Sequence, residues 1–240
     1  MCHILVQLIK EIKNSIPNLF TLANLCCGVL GIILVFEGEI TDAAYLIWIA
    51  AIFDFLDGFM AKILKAQSEL GRQLDSLADL VTFGVLPSII YYSLLKGQFE
   101  IPLEYLSFSI AIFSALRLAK FNIDESQSTV FSGLTTTANG ILASSVPLIL
   151  AGSTLLNQTL THKYLLLVIM LIPAILMVTP LRLLSLKFSD FKLRTNIDKF
   201  ALIGLSIMFI GLFRESAVPM IIVAYIILSI FFLTGKKFED

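Results

Sequence analysis

Cysteine and histidine are nearly missing from this chain, which holds 3 and 2 of them among 240 residues. Cys26 and Cys27 are adjacent inside an apolar run and Cys2 is near the start, a spacing that suits neither a disulfide framework nor a zinc site. All three read as reduced structural residues. His3 and His162 are isolated in sequence, which suits surface positions rather than metal ligation. Charge is scarce as well, since charged side chains make up 15 % and the net charge is −1. Without a basic surface to neutralise a run of phosphates, nucleic acid is excluded as a partner. Low-complexity tracts, internal repeats and long linkers are also lacking. What fills the sequence instead is apolar: 58 % hydrophobic residues and a mean hydropathy of +0.92, against about 45–50 % apolar content in soluble domains. A bilayer is the expected solvent.

Apolar stretches long enough to cross hydrocarbon as helix recur near residues 16–36, 43–64, 74–95, 102–121, 132–155, 163–186, 198–213 and 217–235. The reading is an all-α integral membrane protein, a polytopic bundle of about eight transmembrane helices. Ahead of them, Ile4, Leu5, Leu8, Ile9 and Ile12 recur at helical spacing, with Lys10 and Lys13 elsewhere on the turn. Residues 1–15 therefore read as an amphipathic interfacial helix rather than a cleavable signal, and 16–240 as a single transmembrane domain.

Orientation follows from the basic residues. With the N-terminus in the cytosol, only Lys96, Lys163 and Arg214 of the 17 lysines and arginines fall in outside segments. Both termini are expected in the cytosol. Tyr45, Tyr91, Tyr92, Tyr105 and Tyr164 fall toward the expected outer ends, where a ring with a polar tip is stable.

Ionisable groups within apolar spans are costly and mark function. Asp54 and Asp57 are i, i+3 on the second span, and Asp75 and Asp79 are i, i+4 on the third. Each pair lies on one helix face, and the short turn between the helices lets the pairs face each other. Singly, such residues serve as helix caps; four at this spacing point to a site. Four carboxylates in one cleft cannot all stay charged without compensation, and Lys62 is the nearby cation. Two hard divalent cations, Mg²⁺ or Mn²⁺, would supply it, in a phosphoryl-transfer arrangement. Asp54 lies about 18 Å along its helix from Asp42 at the expected outer edge. The site would thus open to the cytosol. Gly58, Ala61 and Gly71 let a bulky ligand approach the backbone, and serve close helix packing equally well.

Residues 54–79 resemble the signature of the CDP-alcohol phosphatidyltransferases, D-x2-D-G-x2-A-R-x8-G-x3-D-x3-D. The match is at Asp54, Asp57, Gly58, Ala61, Gly71, Asp75 and Asp79, with Lys62 in place of the usual arginine. The resemblance implies transfer of a phosphatidyl group from CDP-diacylglycerol to an alcohol with release of CMP. Asp54, Asp57 and Asp75 would ligate metal, and Asp79 would be the base and also touch a metal. Gly58, Ala61, Lys62, Gly71 and Thr21 would bind CDP-diacylglycerol. The family also implies a homodimer in the cytoplasmic membrane.

Further segments resemble the branch of the family that accepts L-serine. These are Ile16-Pro17-Asn18 with Thr21, Asn24 and Gly28, then Arg117-Leu118-Ala119-Lys120-Phe121-Asn122, then Phe131-Ser132-Gly133-Leu134. Lys120 replaces an arginine of the branch pattern, and Thr135-Thr136-Thr137 replaces P-x-P. Arg117 and Lys120 suit an acceptor carboxylate or a donor phosphate, and equally suit cytosolic anchoring. Asn122, Ser132 and Thr135 are either neutral hydrogen-bonding groups or loop caps. A phosphorylated acceptor or amino alcohol is the alternative within the family, with the run Arg182 to Lys199 as a cationic wall. An ion-coupled transporter is the alternative outside it, opposed by the lack of matching broken spans in two halves.

Overall fold

The structure, a computed structural model, describes residues 2–123, 130–152, 162–184, 197–213 and 216–235, and only the backbone of 2–14, 130–132, 182, 184, 197–198 and 230–235. Lys187, Lys192, Arg194, Arg214, Lys236 and Lys237, which entered the charge reading, lie outside the described residues.

The chain opens with α1, Cys2–Glu37, 36 residues in one helix. No break separates the expected interfacial segment from the first span, because the helix runs on through Pro17. At 1.5 Å per residue it is about 54 Å long, well beyond the roughly 30 Å of hydrocarbon. Gly38, at φ +90°, turns the chain into α2, Ile40–Ile63. Ala43, Ile47 and Ala50 recur on one face of α2 and are fully buried, so α1 and α2 pack closely. Phe83, Leu86 and Ile90 of the third rod complete this cluster.

That third rod joins α3, Glu69–Asp79, to α4, Leu86–Leu95, through a π-helical segment at Leu80–Val85. Ser68 caps α3 by accepting from the Gly71 N–H at 3.0 Å. The Leu86 N–H bonds the Val81 carbonyl five residues back. This shift in register comes just before Pro87, which has no N–H to continue the ladder. A 3-10 turn at Leu103–Phe108 leads into α5, Ser109–Ile123. Then follow β1, Val130–Ser132, α6, Thr136–Ala151, α7, Lys163–Val178, β2, Arg182–Leu184, α8, Ile197–Phe213, and α9, Ala217–Gly235.

Two three-residue strands lie within the otherwise helical fold. β1 and β2 pair antiparallel with Phe131 opposite Leu183. The expected fifth span therefore begins at 136 rather than 132, and the sixth ends at 178 rather than 186. Gly133 makes the bend at φ +76°, where a Cβ would meet the Met177 carbonyl oxygen. At the other strand, Thr179 is extended ahead of Pro180, as the residue before proline tends to be.

With the π segment and 3-10 turn counted into their rods, the described residues form eight helical rods, the number expected. Ser15–Glu37, Glu69–Leu95 and Leu103–Ile123 are long and apolar enough to cross a membrane, and four more helices are apolar but shorter. α2 has 24 residues but carries Asp42, Asp54, Asp57 and Lys62. Leu19, Val29, Leu30, Ile33 and Phe36 form an exposed apolar face on α1. Long apolar helices with such a face point to an integral membrane protein.

Candidate active site

Asp54 and Asp57 leave α2 on the face turned toward α3, where Asp75 and Asp79 stand one turn apart. Carboxylate oxygens of Asp54, Asp57 and Asp75 come within 4.8 Å of one another. Asp79 stands outside that trio. Its Oδ1 accepts a hydrogen bond from Asn24 Nδ2 at 3.0 Å, and the Asn24 side chain is fully buried. Thr82, in the π segment, donates to the Asn24 carbonyl at 3.1 Å, which ties α1 to the turn that follows Asp79.

Two more carboxylates have a neutral donor from another helix. Thr21 donates to Asp57 Oδ2 at 2.7 Å, and Thr137 to Asp54 Oδ2 at 3.2 Å. Among the described residues Asp75 has no such donor, and its Oδ1 is buried without a partner there. No ion pair reaches any of the four aspartates among the described residues, and Arg72 pairs with Glu69 instead. Three carboxylates this close, an orphaned buried oxygen and an all-oxygen donor set fit a hard divalent cation.

A cavity of about 550 Å³ opens against this cluster, with Thr21, Asp57, Gly58, Ala61, Gly71 and Asp75 among its walls. The two glycines differ. A Cβ at Gly58 would meet nothing within 4 Å, whereas one at Gly71 would meet Ser68 Oγ at 3.0 Å and Asn18 Oδ1 at 3.2 Å. Gly58 thus leaves open space for a ligand, and Gly71 serves packing between the α3 cap and α1. Lys62 is exposed and is not part of the wall. Arg72, which the sequence reading passed over although it follows Gly71 directly, is a cation that lines the cavity.

Arg117 Nη1 reaches Thr136 Oγ1 at 3.4 Å, and its Nε is buried without a partner. Asp79 is near enough to act on it electrostatically. Lys120 is exposed at the end of α5. Asn122 is a clamp between α5 and α3, donating to Ser76 Oγ at 3.0 Å and Gln73 Oε1 at 3.2 Å. Thr135 caps α6, accepting from the Ala138 N–H at 3.2 Å. Sequence reasoning missed the bonds made by Asn24 and Thr137. The signal for Asn24 was its place three residues after Thr21, on the same face of α1.

Known proteins resemble this chain over much of its length. Residues 14–181 match the sequence model of the CDP-alcohol phosphatidyltransferases. The CDP-diacylglycerol–serine O-phosphatidyltransferase of Bacillus subtilis is 40 % identical over 121 residues, 50 % of this chain and 68 % of that protein. The Helicobacter pylori (strain J99) protein of the same name is 37 % identical over 116 residues, 48 % of this chain and 49 % of its own. An archaetidylserine synthase of Methanothermobacter thermautotrophicus is 31 % identical over 126 residues, 50 % of this chain and 52 % of its own. The matched region thus spans about half the length of the second and third of these relatives.

Proposed function

Since the chain belongs to the CDP-alcohol phosphatidyltransferase family and is a phosphatidyltransferase, we propose that it acts as a phosphatidylserine synthase. The phosphatidyl group of CDP-diacylglycerol would pass to the hydroxyl of L-serine, giving phosphatidylserine and CMP. The observation that carries the reading is the carboxylate trio with its orphaned Asp75 oxygen, set against a cavity that Gly58 leaves open. Serine as acceptor is supported by the names of the Bacillus and Helicobacter relatives.

Asp54, Asp57 and Asp75 would hold two divalent cations, Mg²⁺ or Mn²⁺. When bound, these ions offset the charge of the diphosphate and of the departing CMP. Gly58 and Ala61 leave room for the diphosphate beside Asp57, and Arg72 offers a positive charge on the same wall. Asn24 holds Asp79 by one oxygen, which leaves the other to accept the serine hydroxyl proton. As that proton leaves, the serine oxygen bonds to the lipid-linked phosphorus and the bond from phosphorus to CMP breaks. Arg117, half-buried on α5, offers its guanidinium to the serine carboxylate, and the buried Nε supplies a donor. The site faces the cytosol, as the basic residues around the α2–α3 turn support.

The test is an assay of purified protein with CDP-diacylglycerol, Mg²⁺ or Mn²⁺, and a panel of acceptors, following CMP and the lipid product. Phosphatidylserine formed with serine is the expected result. CMP release with another acceptor and never with serine would overturn the serine assignment and leave the reaction class standing.

A further inference from the structure

α6 runs antiparallel to α2 and is tied to it at two polar points. Thr137 donates to Asp54 near one end, and about two turns away Trp48 Nε1 donates to Ser144 Oγ at 2.9 Å. Thr135 fixes the start of α6 as its cap, so the Thr137 hydroxyl is presented from a rigid helical turn. The next residue back, Thr136, receives Arg117. Asp54 has two like-charged neighbours, Asp57 and Asp75, with ligand oxygens within 4.8 Å. Repulsion from both favours rotating its carboxylate away from them. The Thr137 hydroxyl, at 3.2 Å, opposes that rotation.

We propose that Thr137 is a positioning residue for the phosphatidyl-transfer site, holding the Asp54 carboxylate in the orientation that ligates a divalent cation. The proposal rests on the metal-site reading above. Thr137 acts through Asp54 and touches neither donor nor acceptor. Removing its hydroxyl leaves the Thr135 cap and the Trp48–Ser144 bond in place to hold α6. Hydrogen bonds to metal-ligating groups typically set affinity by about 10–100-fold.

The experiment measures Mn²⁺ binding to the purified full chain in detergent, without lipid substrate, by the free-Mn²⁺ electron paramagnetic resonance signal. Thr137→Val should weaken Mn²⁺ binding about 10-fold, and Thr137→Ser should restore it. The melting temperature of metal-free Thr137→Val should match wild type; if valine proves disruptive, Thr137→Ala takes its place. In turnover, the variant should need more Mn²⁺ for half-activation yet approach the wild-type kcat at saturating Mn²⁺. Asp54→Asn, measured in parallel, separates two failures. If it loses Mn²⁺ affinity while Thr137→Val and Thr137→Ala bind as wild type, the role of Thr137 is overturned and the metal site stands. If Asp54→Asn itself binds Mn²⁺ as wild type, the metal-site reading fails and takes this proposal with it.

Discussion

Asp75 and Asp79 lie one helical turn apart and meet opposite surroundings. The buried Asp75 oxygen has no donor among the described residues, while Asp79 is held by a fully buried amide. Asp75→Asn removes a like charge from the trio, so the metal-free variant should melt no lower than wild type. Added Mn²⁺ should reverse the order, because wild type gains binding free energy that the variant has lost. Thermal unfolding with and without Mn²⁺ measures both, and a variant stabilised by Mn²⁺ as much as wild type would remove Asp75 from the metal set. Asp79→Asn should leave the apparent Michaelis constant for CDP-diacylglycerol nearly unchanged and lower kcat by about 10²–10⁴-fold, the usual range for a general base. Full turnover in that variant would end the base assignment. The four aspartates were legible because acids in apolar spans are rare and their intervals match helical turns. The surroundings that distinguish them were not. These come from Thr21, Asn24 and Thr137, which are 36, 55 and 83 residues away from the carboxylates they bond.

At the scale of elements, helix number followed from the recurrence of apolar runs, and the local irregularities did not. The π segment lies just before Pro87 where α1 closely approaches Thr82, and the β1–β2 ribbon joins two three-residue strands across a long stretch of chain. Neither leaves a periodic trace. The glycines give a test. A methyl at Gly28 would collide with the Thr82 side chain and come within 3.0 Å of its Cα, at the residue that donates to the Asn24 carbonyl. Gly28→Ala should therefore destabilise the protein by about 1–3 kcal/mol through overpacking, and should lower kcat by loosening Asn24 from Asp79. Gly58→Ala meets no protein atom, so its melting temperature should hold while its Michaelis constant for CDP-diacylglycerol rises. Equal stability losses in the two variants would erase the distinction between a packing glycine and a ligand-facing one.

Over the whole molecule, the carboxylate cluster and its cavity sit toward one end of the bundle, where α2 ends and α3 begins. The basic residues Lys62, Lys65 and Arg72 gather at the same end. Gln67, exposed in that turn and part of the cavity wall, and Gln98, exposed in the segment after α4, report on opposite ends of the third rod. In a background lacking Cys2, Cys26 and Cys27, a cysteine at Gln67 should react with a membrane-impermeant maleimide only in inverted vesicles. One at Gln98 should react only in intact cells. The reverse pattern would put the site outside and overturn the orientation. Because Gln67 borders the cavity, its labelling also reads occupancy. CDP-diacylglycerol with Mn²⁺ should slow modification at Gln67 and leave Gln98 unaffected, and Asp57→Asn should abolish the protection without changing the side from which Gln67 is reached. Protection that persists in Asp57→Asn would place the donor's diphosphate away from the carboxylate trio.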